Sequence, residues 1–178
     1  MADDSFSIDV AAIRERARRK MSQGPVTDGY GRSTEEVIGV LNDVVATEIV
    51  CWMRYAQHAI SATGINRAQV ADEFNEHAHE ERHHALRAAE RISQLGGDPD
   101  FDPETIARRS HTTYATFKDD DLRGMLEENL VAERIVIESY QEIIRWLGDG
   151  DVTTRRLMED ILAEEEEHAD DLMDLLGN

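Results

Sequence analysis

The chain has 178 residues, of which 40% are hydrophobic and 32% charged, and its formal net charge is −19. A low share of aromatic residues and proline, with abundant Ala, Glu, Leu and Arg, favours long helices over sheets. The negative charge disfavours binding of the main body to nucleic acid or to anionic membranes. The single cysteine, Cys51, excludes an internal disulfide and any metal site that needs paired cysteines.

Residues 1–33 differ from the rest and are predicted to form an N-terminal extension to a domain over residues 34–178. Within it, Ser7–Met21 predicts a short helix with a basic cluster of Arg14, Arg16, Arg18, Arg19 and Lys20. Met1–Val10 lacks the apolar core of a signal peptide, and no stretch approaches the roughly 18 apolar residues of a membrane span. A cytoplasmic protein is therefore expected.

Four amphipathic segments follow, and each predicts one helix of a bundle. The first starts at Ser33 or Thr34, the second after Asn66, the third near Asp119 and the fourth after Gly150. Their predicted inward positions, in order, are Val37, Leu41, Val44, Glu48, Cys51, Tyr55 and Ala62; Val70, Phe74, His77, Glu81, His84, Ala88, Ile92 and Leu95; Leu122, Leu126, Asn129, Glu133, Val136, Tyr140, Ile143 and Leu147; and Thr154, Met158, Ile161, Glu165, His168, Leu172 and Leu175.

The connections between these segments predict their directions. Two are tight turns, whereas residues 98–118, which include Pro103, form a long connection between the second and third helices. A connection of that length can cross the whole bundle. The pattern therefore predicts an all-α, up-down-down-up four-helix bundle with one long crossover.

Each inward stripe carries polar residues near its middle. Burying carboxylates or imidazoles without partners costs several kcal/mol in practice, and clustered carboxylates also repel one another. A pair of divalent cations removes both penalties. A polar network without metal explains the residues poorly, because carboxylates only accept hydrogen bonds.

The spacing of these residues repeats between the two halves of the chain. Glu48 is followed by Tyr55 at +7 and by Glu81 and His84 at +33 and +36, while Glu133 is followed by Tyr140 at +7 and by Glu165 and His168 at +32 and +35. Helical phase rejects the other Glu-x-x-His pairs, Glu76/His79 and Glu80/His83, as outward-facing. It likewise predicts that the neighbours of Glu165 in the acidic run 164–167 face solvent.

The chain resembles the ferritin-like superfamily, and especially bacterioferritins, over Thr34–Leu176. The matching segments are Leu41-Asn42, Ala46-Thr47-Glu48, Tyr55, His58-Ala59, Glu81-x-x-His84, Glu90-Arg91-Ile92, Leu95-Gly96-Gly97, Glu133, Ile161-Leu162 and His168. The resemblance implies a catalytic pair of iron ions in each subunit. One would be held by Glu48 and His84, the other by Glu133 and His168, with Glu81 and Glu165 bridging the two.

The resemblance also implies residues beside the metals. Tyr55 corresponds to the family's tyrosine near the site, and Tyr140 matches it by internal symmetry. His77, one turn from Glu81 on the inner face, is expected to be a hydrogen-bonded histidine beside the site rather than a ligand. The expected activity is that of a ferroxidase, which oxidises Fe(II) with O₂ or H₂O₂, with roles in iron storage, iron homeostasis and protection from oxidative stress. Manganese or zinc can substitute for iron in such a ligand set.

Two departures from bacterioferritins bear on assembly. Arg82 occupies the position of their haem-ligating methionine, so haem is not expected. The chain also stops at Leu176-Gly177-Asn178, without the fifth helix of 24-subunit members. The combination is most similar to the Dps-like group, which has a bacterioferritin-type site inside each subunit, so a homo-oligomer of twelve subunits is favoured over one of twenty-four.

Three alternatives remain open at this point. A manganese catalase uses a similar ligand set to consume peroxide, and a diiron oxidase acts on an organic substrate. A third is a DNA-binding Dps-type protein that uses residues 14–20 as a cationic arm.

Overall fold

The computed structural model describes residues 5–117 and 121–177, and in these ranges it contains helices and no strand. Over the described residues there are six α-helices, in chain order α1 (Val10–Arg19), α2 (Thr34–Ser61), α3 (Arg67–Gln94), α4 (Pro103–Arg109), α5 (Leu122–Leu147) and α6 (Val152–Leu176). The prediction of an all-α chain is confirmed. In the described part of the chain, no helix is long and apolar enough to cross a membrane.

The chain separates into two compact units, with the boundary between Tyr30 and Gly31. The described part of the first unit contains α1 and a 3₁₀ turn, Met21–Gln23. Helix α1 is shorter than the helix that was predicted over Ser7–Met21. The side chain of Asp9 caps α1 by accepting a hydrogen bond from the Ala12 amide at 2.9 Å. The basic residues of α1 are exposed.

The ends of the long helices follow local capping chemistry. The Ser33 hydroxyl accepts a hydrogen bond from the Glu36 amide at 3.3 Å, which confirms the predicted start of α2. At the end of α3, Gly96 adopts a φ of 87°, a left-handed conformation that glycine tolerates best, and the helix stops at Gln94. Asp121 caps α5 through the Gly124 amide. The predicted start of this helix near Asp119 lies outside the described residues.

The long helices run up-down-down-up, as predicted. Contacts between the halves join Tyr55 to Glu133 and Tyr140 to Glu48, so α2 and α5 are antiparallel. The crossover lies along α2. Near its start the Asp100 amide donates a hydrogen bond to Asn42, and near its end the Phe117 amide donates to His58. It contains the short helix α4, capped by Asp102 and started by Pro103. No helix was predicted in this connection.

The predicted inward stripes form the interior of the bundle. All of their residues are buried except Leu122, Ile143 and Leu175, which are half-buried near the bundle ends. Apolar side chains such as Leu41, Phe74 and Ile161 are completely buried. The polar residues of the stripes are buried with them, so the fold carries a cluster of ionisable groups at the centre of its core.

Candidate metal centre

The six predicted ligands come together in the middle of the four long helices. Glu48, Glu81, Glu133 and Glu165 are completely buried, as is His84, and His168 is 2% exposed. Each long helix supplies one of the four glutamates, and α3 and α6 each add a histidine three residues later. The internal repeat thus corresponds to two helix pairs, α2–α3 and α5–α6, that face each other across the centre.

The donor atoms form two overlapping groups, each with its members within 4.8 Å of one another. One group is Glu48, Glu81, His84 and Glu165, and the other is Glu81, Glu133, Glu165 and His168. Only Glu81 and Glu165 belong to both groups. The geometry therefore offers room for two ions that share two carboxylates, with one carboxylate and one imidazole at each end.

Buried donor atoms without hydrogen bonds point into this centre. They are Oε2 of Glu48, Oε2 of Glu133, both carboxylate oxygens of Glu81, both of Glu165, and Nδ1 of His84 and His168. Nδ1 of His84 lies 3.0 Å from Oε1 of Glu165, close enough for an ion pair but without hydrogen-bond geometry. Orphaned buried polar atoms are rare in folded proteins and need a partner. Hard carboxylate oxygens with imidazole nitrogens suit iron, manganese and zinc.

Two tyrosines orient the terminal carboxylates across the centre. The hydroxyl of Tyr55 donates to Oε1 of Glu133, and the hydroxyl of Tyr140 donates to Oε1 of Glu48. Each bond joins α2 to α5. Because Oε1 of each glutamate is occupied in this way, Oε2 is the oxygen left for a metal ion.

Two glutamates that sequence reasoning placed in solvent instead contact the histidines of the centre. Nε2 of His84 donates to Oε2 of Glu164 at 2.8 Å, and Nε2 of His168 donates to Oε2 of Glu80 at 2.7 Å. The predictions that Glu80 points outward and that Glu164 is only solvated are therefore wrong. Each side chain lies at the border of its stripe and reaches the facing helix. Glu166 and Glu167 are exposed, as predicted.

A repeated sequence signal marks both of these glutamates. Glu80 directly precedes Glu81, and Glu164 directly precedes Glu165, so each stands four residues before a histidine of the centre. The repeat is thus Glu-Glu-x-x-His rather than Glu-x-x-His. Histidines that bind metal commonly donate their second N–H to a carboxylate, which fixes the ring orientation. The second glutamate of each Glu-Glu-x-x-His segment is thus a candidate ligand, and the first is the signal for a carboxylate that holds a histidine.

Electrostatics in the centre raise the pKa values of Glu48, Glu133 and His84. Burial raises the pKa of Glu48 to about 8, and the neighbouring Glu81 carboxylate adds to the rise. Burial and the charges of Glu81 and Glu165 raise the pKa of Glu133 well above its usual value. Burial opposes protonation of His84, but the carboxylates of Glu165, Glu48 and Glu81 face the ring and raise its pKa. Metal ions must displace these protons in order to bind.

His77 lies beside the centre, as expected, and its ring stacks on that of His168 with the centroids 4.1 Å apart. Neither ring nitrogen makes a hydrogen bond of standard geometry, although Nε2 lies 3.4 Å from Oε1 of Glu73, so the expected hydrogen bond stays a prediction. Asn129 is a structural residue. Its amide contacts Nδ1 of His58, and its carbonyl oxygen accepts a hydrogen bond from Arg54 at 2.8 Å.

Comparison with known proteins places this geometry in a family. A family model described as a ferritin-like domain matches residues 38–178, most of the chain. The chain belongs to the ferritin-like family. This is the iron-storage family of bacterioferritins and Dps proteins, and its members bind iron.

Individual relatives agree with this assignment. A solved structure of a dodecameric thioferritin, the bacterioferritin-related protein from Bacteroides fragilis, is 37% identical with a TM-score of 0.79, and the match covers 83% of this chain and 88% of that one. A bacterioferritin from Desulfovibrio desulfuricans is 28% identical over 134 residues, 75% of this chain and 70% of the relative. A nutrient stress-induced DNA-binding protein from a Synechococcus species is 28% identical over 139 residues, 76% of this chain and 78% of the relative.

Proposed function

We propose that this ferritin-like protein is a ferroxidase that oxidises Fe(II) with O₂ or H₂O₂ at a dinuclear iron centre. The proposed ligands are Glu48, Glu81, His84, Glu133, Glu165 and His168. The observation that carries the proposal is the convergence of their buried, unpartnered donor atoms on two adjacent positions that share Glu81 and Glu165. Two bound iron ions would each supply one electron to a two-electron oxidant.

The residues around the centre have distinct parts in this proposal. Oε2 of Glu48 and Oε2 of Glu133 would each bind one ion, because the tyrosine hydroxyls hold the other oxygens. Glu81 and Glu165 offer two free oxygens each and can bind both ions. The histidines present Nδ1 to the centre, while Glu164 and Glu80 hold Nε2 on the outer side. Glu48 and Glu133, whose pKa values are raised, would release their protons when iron binds.

The proposed role in the cell is storage of the oxidised iron, which also limits oxidative damage. Storage requires a cage, and we propose a homo-oligomer of twelve subunits, as in the dodecameric relative. Apolar residues on the outer face of α5 support subunit contacts, since Val131 is 50% exposed and Ile135 is 41% exposed. The mass of the native assembly tests this part independently of the chemistry.

The test of the ferroxidase proposal compares neighbouring histidines. We expect His84→Ala to abolish rapid Fe(II) oxidation, and Glu81→Ala to do the same, when metal-free protein is mixed with Fe(II) and then with O₂ or H₂O₂. His83→Ala is the matched control, since His83 lies on the exposed side of the same helix. Unchanged oxidation kinetics in His84→Ala would overturn the site. Rapid O₂ release from H₂O₂ by manganese-loaded protein would favour a catalase instead.

A further inference from the structure

A third group of possible metal ligands lies next to the dinuclear centre. Glu73 and His77 stand one turn apart on α3, and Asp171 faces them from α6. Nε2 of His77 lies 3.4 Å from Oε1 of Glu73 and 3.6 Å from Oδ2 of Asp171. One donor atom from each of the three residues lies within 4.8 Å of the other two.

The histidine of this group is buried without a hydrogen bond of standard geometry. Its side chain is only 1% exposed, and neither Nδ1 nor Nε2 makes a hydrogen bond. A buried polar group without a hydrogen bond carries a free-energy cost, because nothing replaces its lost contacts with water. A partner between His77 and the two carboxylates would remove that cost at Nε2.

The distances fit a shared cation better than direct hydrogen bonds. Hydrogen bonds from nitrogen to oxygen normally span about 2.7–3.2 Å, shorter than both separations from Nε2 of His77. Two ligands on one metal ion, each about 2.1 Å from it, lie roughly 3.4 Å apart in tetrahedral geometry. The spacing around Nε2 is therefore that of ligands around a transition-metal ion.

This group shares no ligand with the dinuclear centre. His168 separates the two, since its Nδ1 faces Glu81 and Glu165 and its Nε2 is held by Glu80. The His77 ring lies against the His168 ring, inclined by 24°. The side chains of Glu73 and Asp171 are 29% and 53% exposed, so this group opens to solvent whereas the dinuclear ligands do not.

We propose that Glu73, His77 and Asp171 form a mononuclear site for a divalent first-row transition-metal ion, on the solvent side of the dinuclear centre. One imidazole and two carboxylates suit Fe(II), Mn(II), Co(II) or Zn(II), and three protein ligands leave positions for water. An ion held there exchanges with solvent through the exposed carboxylates and lies one histidine ring from the dinuclear site. The site goes beyond the proposed ferroxidase function, because it binds metal whether or not the neighbouring centre oxidises Fe(II).

To test this site, metal-free protein is titrated with Co(II). Calorimetry measures the number of ions bound and their affinity, and the visible absorption of Co(II) reports its ligands. Asp171→Asn is expected to bind one Co(II) fewer per subunit than the unmodified protein, and Glu73→Gln to weaken the same ion at least tenfold. Asp170→Asn is the matched control, because it removes the same charge from an exposed neighbour on α6. It is expected to bind as many ions as the unmodified protein.

A double variant of the dinuclear centre distinguishes metal binding at this third site from metal binding at that centre. In Glu48→Gln/Glu133→Gln, where each end of that centre has lost a carboxylate, the ion that depends on Asp171 is expected to remain. Equal Co(II) stoichiometry and affinity in Asp171→Asn and the unmodified protein would overturn the third site. Loss of one ion in Asp171→Asn, with no Fe(II) oxidation by the unmodified protein, would support the third site and overturn only the ferroxidase proposal.

Discussion

Glu164 on α6 accepts a hydrogen bond from Nε2 of His84 on α3, with the two atoms 2.8 Å apart. In the equivalent bond the helices exchange roles: Nε2 of His168 on α6 donates to Glu80 on α3. Together with the two tyrosine–glutamate bonds, these contacts all join one half of the internal repeat to the other. Each half therefore supplies candidate ligands whose orientation depends on the opposite half, and the six residues come together only when the two helix pairs are docked.

Replacing Glu164 tests this dependence. In Glu164→Ala, Nε2 of His84 loses its acceptor, so the ring can rotate and its Nδ1 binds metal less well. Loss of such a partner typically lowers metal affinity about 10–100-fold, and we expect this range for one of the two ions in a Zn(II) titration. Glu164→Gln, which keeps an acceptor oxygen, should restore part of the affinity.

The matched control for that experiment is Glu167→Ala, on the exposed side of the same acidic run. It should leave Zn(II) affinity within experimental error. Equal affinities in Glu164→Ala and Glu167→Ala would show that the hydrogen bond to His84 does not position the ligand.

Removal of one tyrosine hydroxyl is expected to weaken the binding of one metal ion more than that of the other. In Tyr140→Phe, Oε1 of Glu48 loses its donor, and in Tyr55→Phe the same occurs at Glu133. A net cost of about 1 kcal/mol per lost hydrogen bond is typical, which corresponds to weaker binding of the ion at that end by roughly fivefold. Calorimetric titration should show one weakened ion in each single variant and two in the double variant. Two ions weakened equally by either single change would contradict the assignment of one tyrosine to each end.

Proton release provides a prediction that needs no variant. With its pKa raised to about 8, Glu48 holds a proton at neutral pH, and the protein must release it when metal binds. Affinity for Zn(II) should therefore rise as the pH increases from about 6 to about 8, where hydrogen ions compete less well. Calorimetry in buffers of different ionisation enthalpy would count the protons released. Affinity that is constant over this range would indicate that the ligands are already deprotonated.

The bundle was predictable from the sequence to a large extent, because the hydrophobic stripes and the glycines at helix ends act locally. The six candidate ligands lie on those stripes, so helical phase was enough to bring them together. The contacts of Glu80 and Glu164 were missed for a physical reason. Phase assigns a side chain to a face of its own helix, whereas these long side chains start at the border of the stripe and end on the facing helix.

Helix α4 was missed for a different reason. It is a short helix in the crossover, where Asp102 and Pro103 favour a start but no amphipathic repeat extends far enough to be recognised. Its position is determined by tertiary contacts, since the guanidinium of Arg109 donates to the backbone oxygens of Asn42 and Asp100. Propensity alone does not reveal such contacts.

Breaking a buried ion pair at one end of the bundle is expected to cause a large loss of stability. The guanidinium of Arg91, with its side chain 10% exposed, lies 3.1 Å from Asp151, and Asp151 also accepts from the Thr154 amide at the start of α6. Asp151→Ala removes the ion pair and the hydrogen bonds from the amide and hydroxyl of Thr154. It leaves the buried Arg91 charge without a carboxylate, so we expect a loss of about 3–5 kcal/mol in the free energy of unfolding. Asp149→Ala is the control, because the Asp149 side chain is 99% exposed and its ion pair with Arg155 lies at the surface. Its effect should stay within about 0.5 kcal/mol. Urea denaturation of both variants measures the difference, and equal midpoints would show that the Arg91 pair adds little to the stability of the bundle.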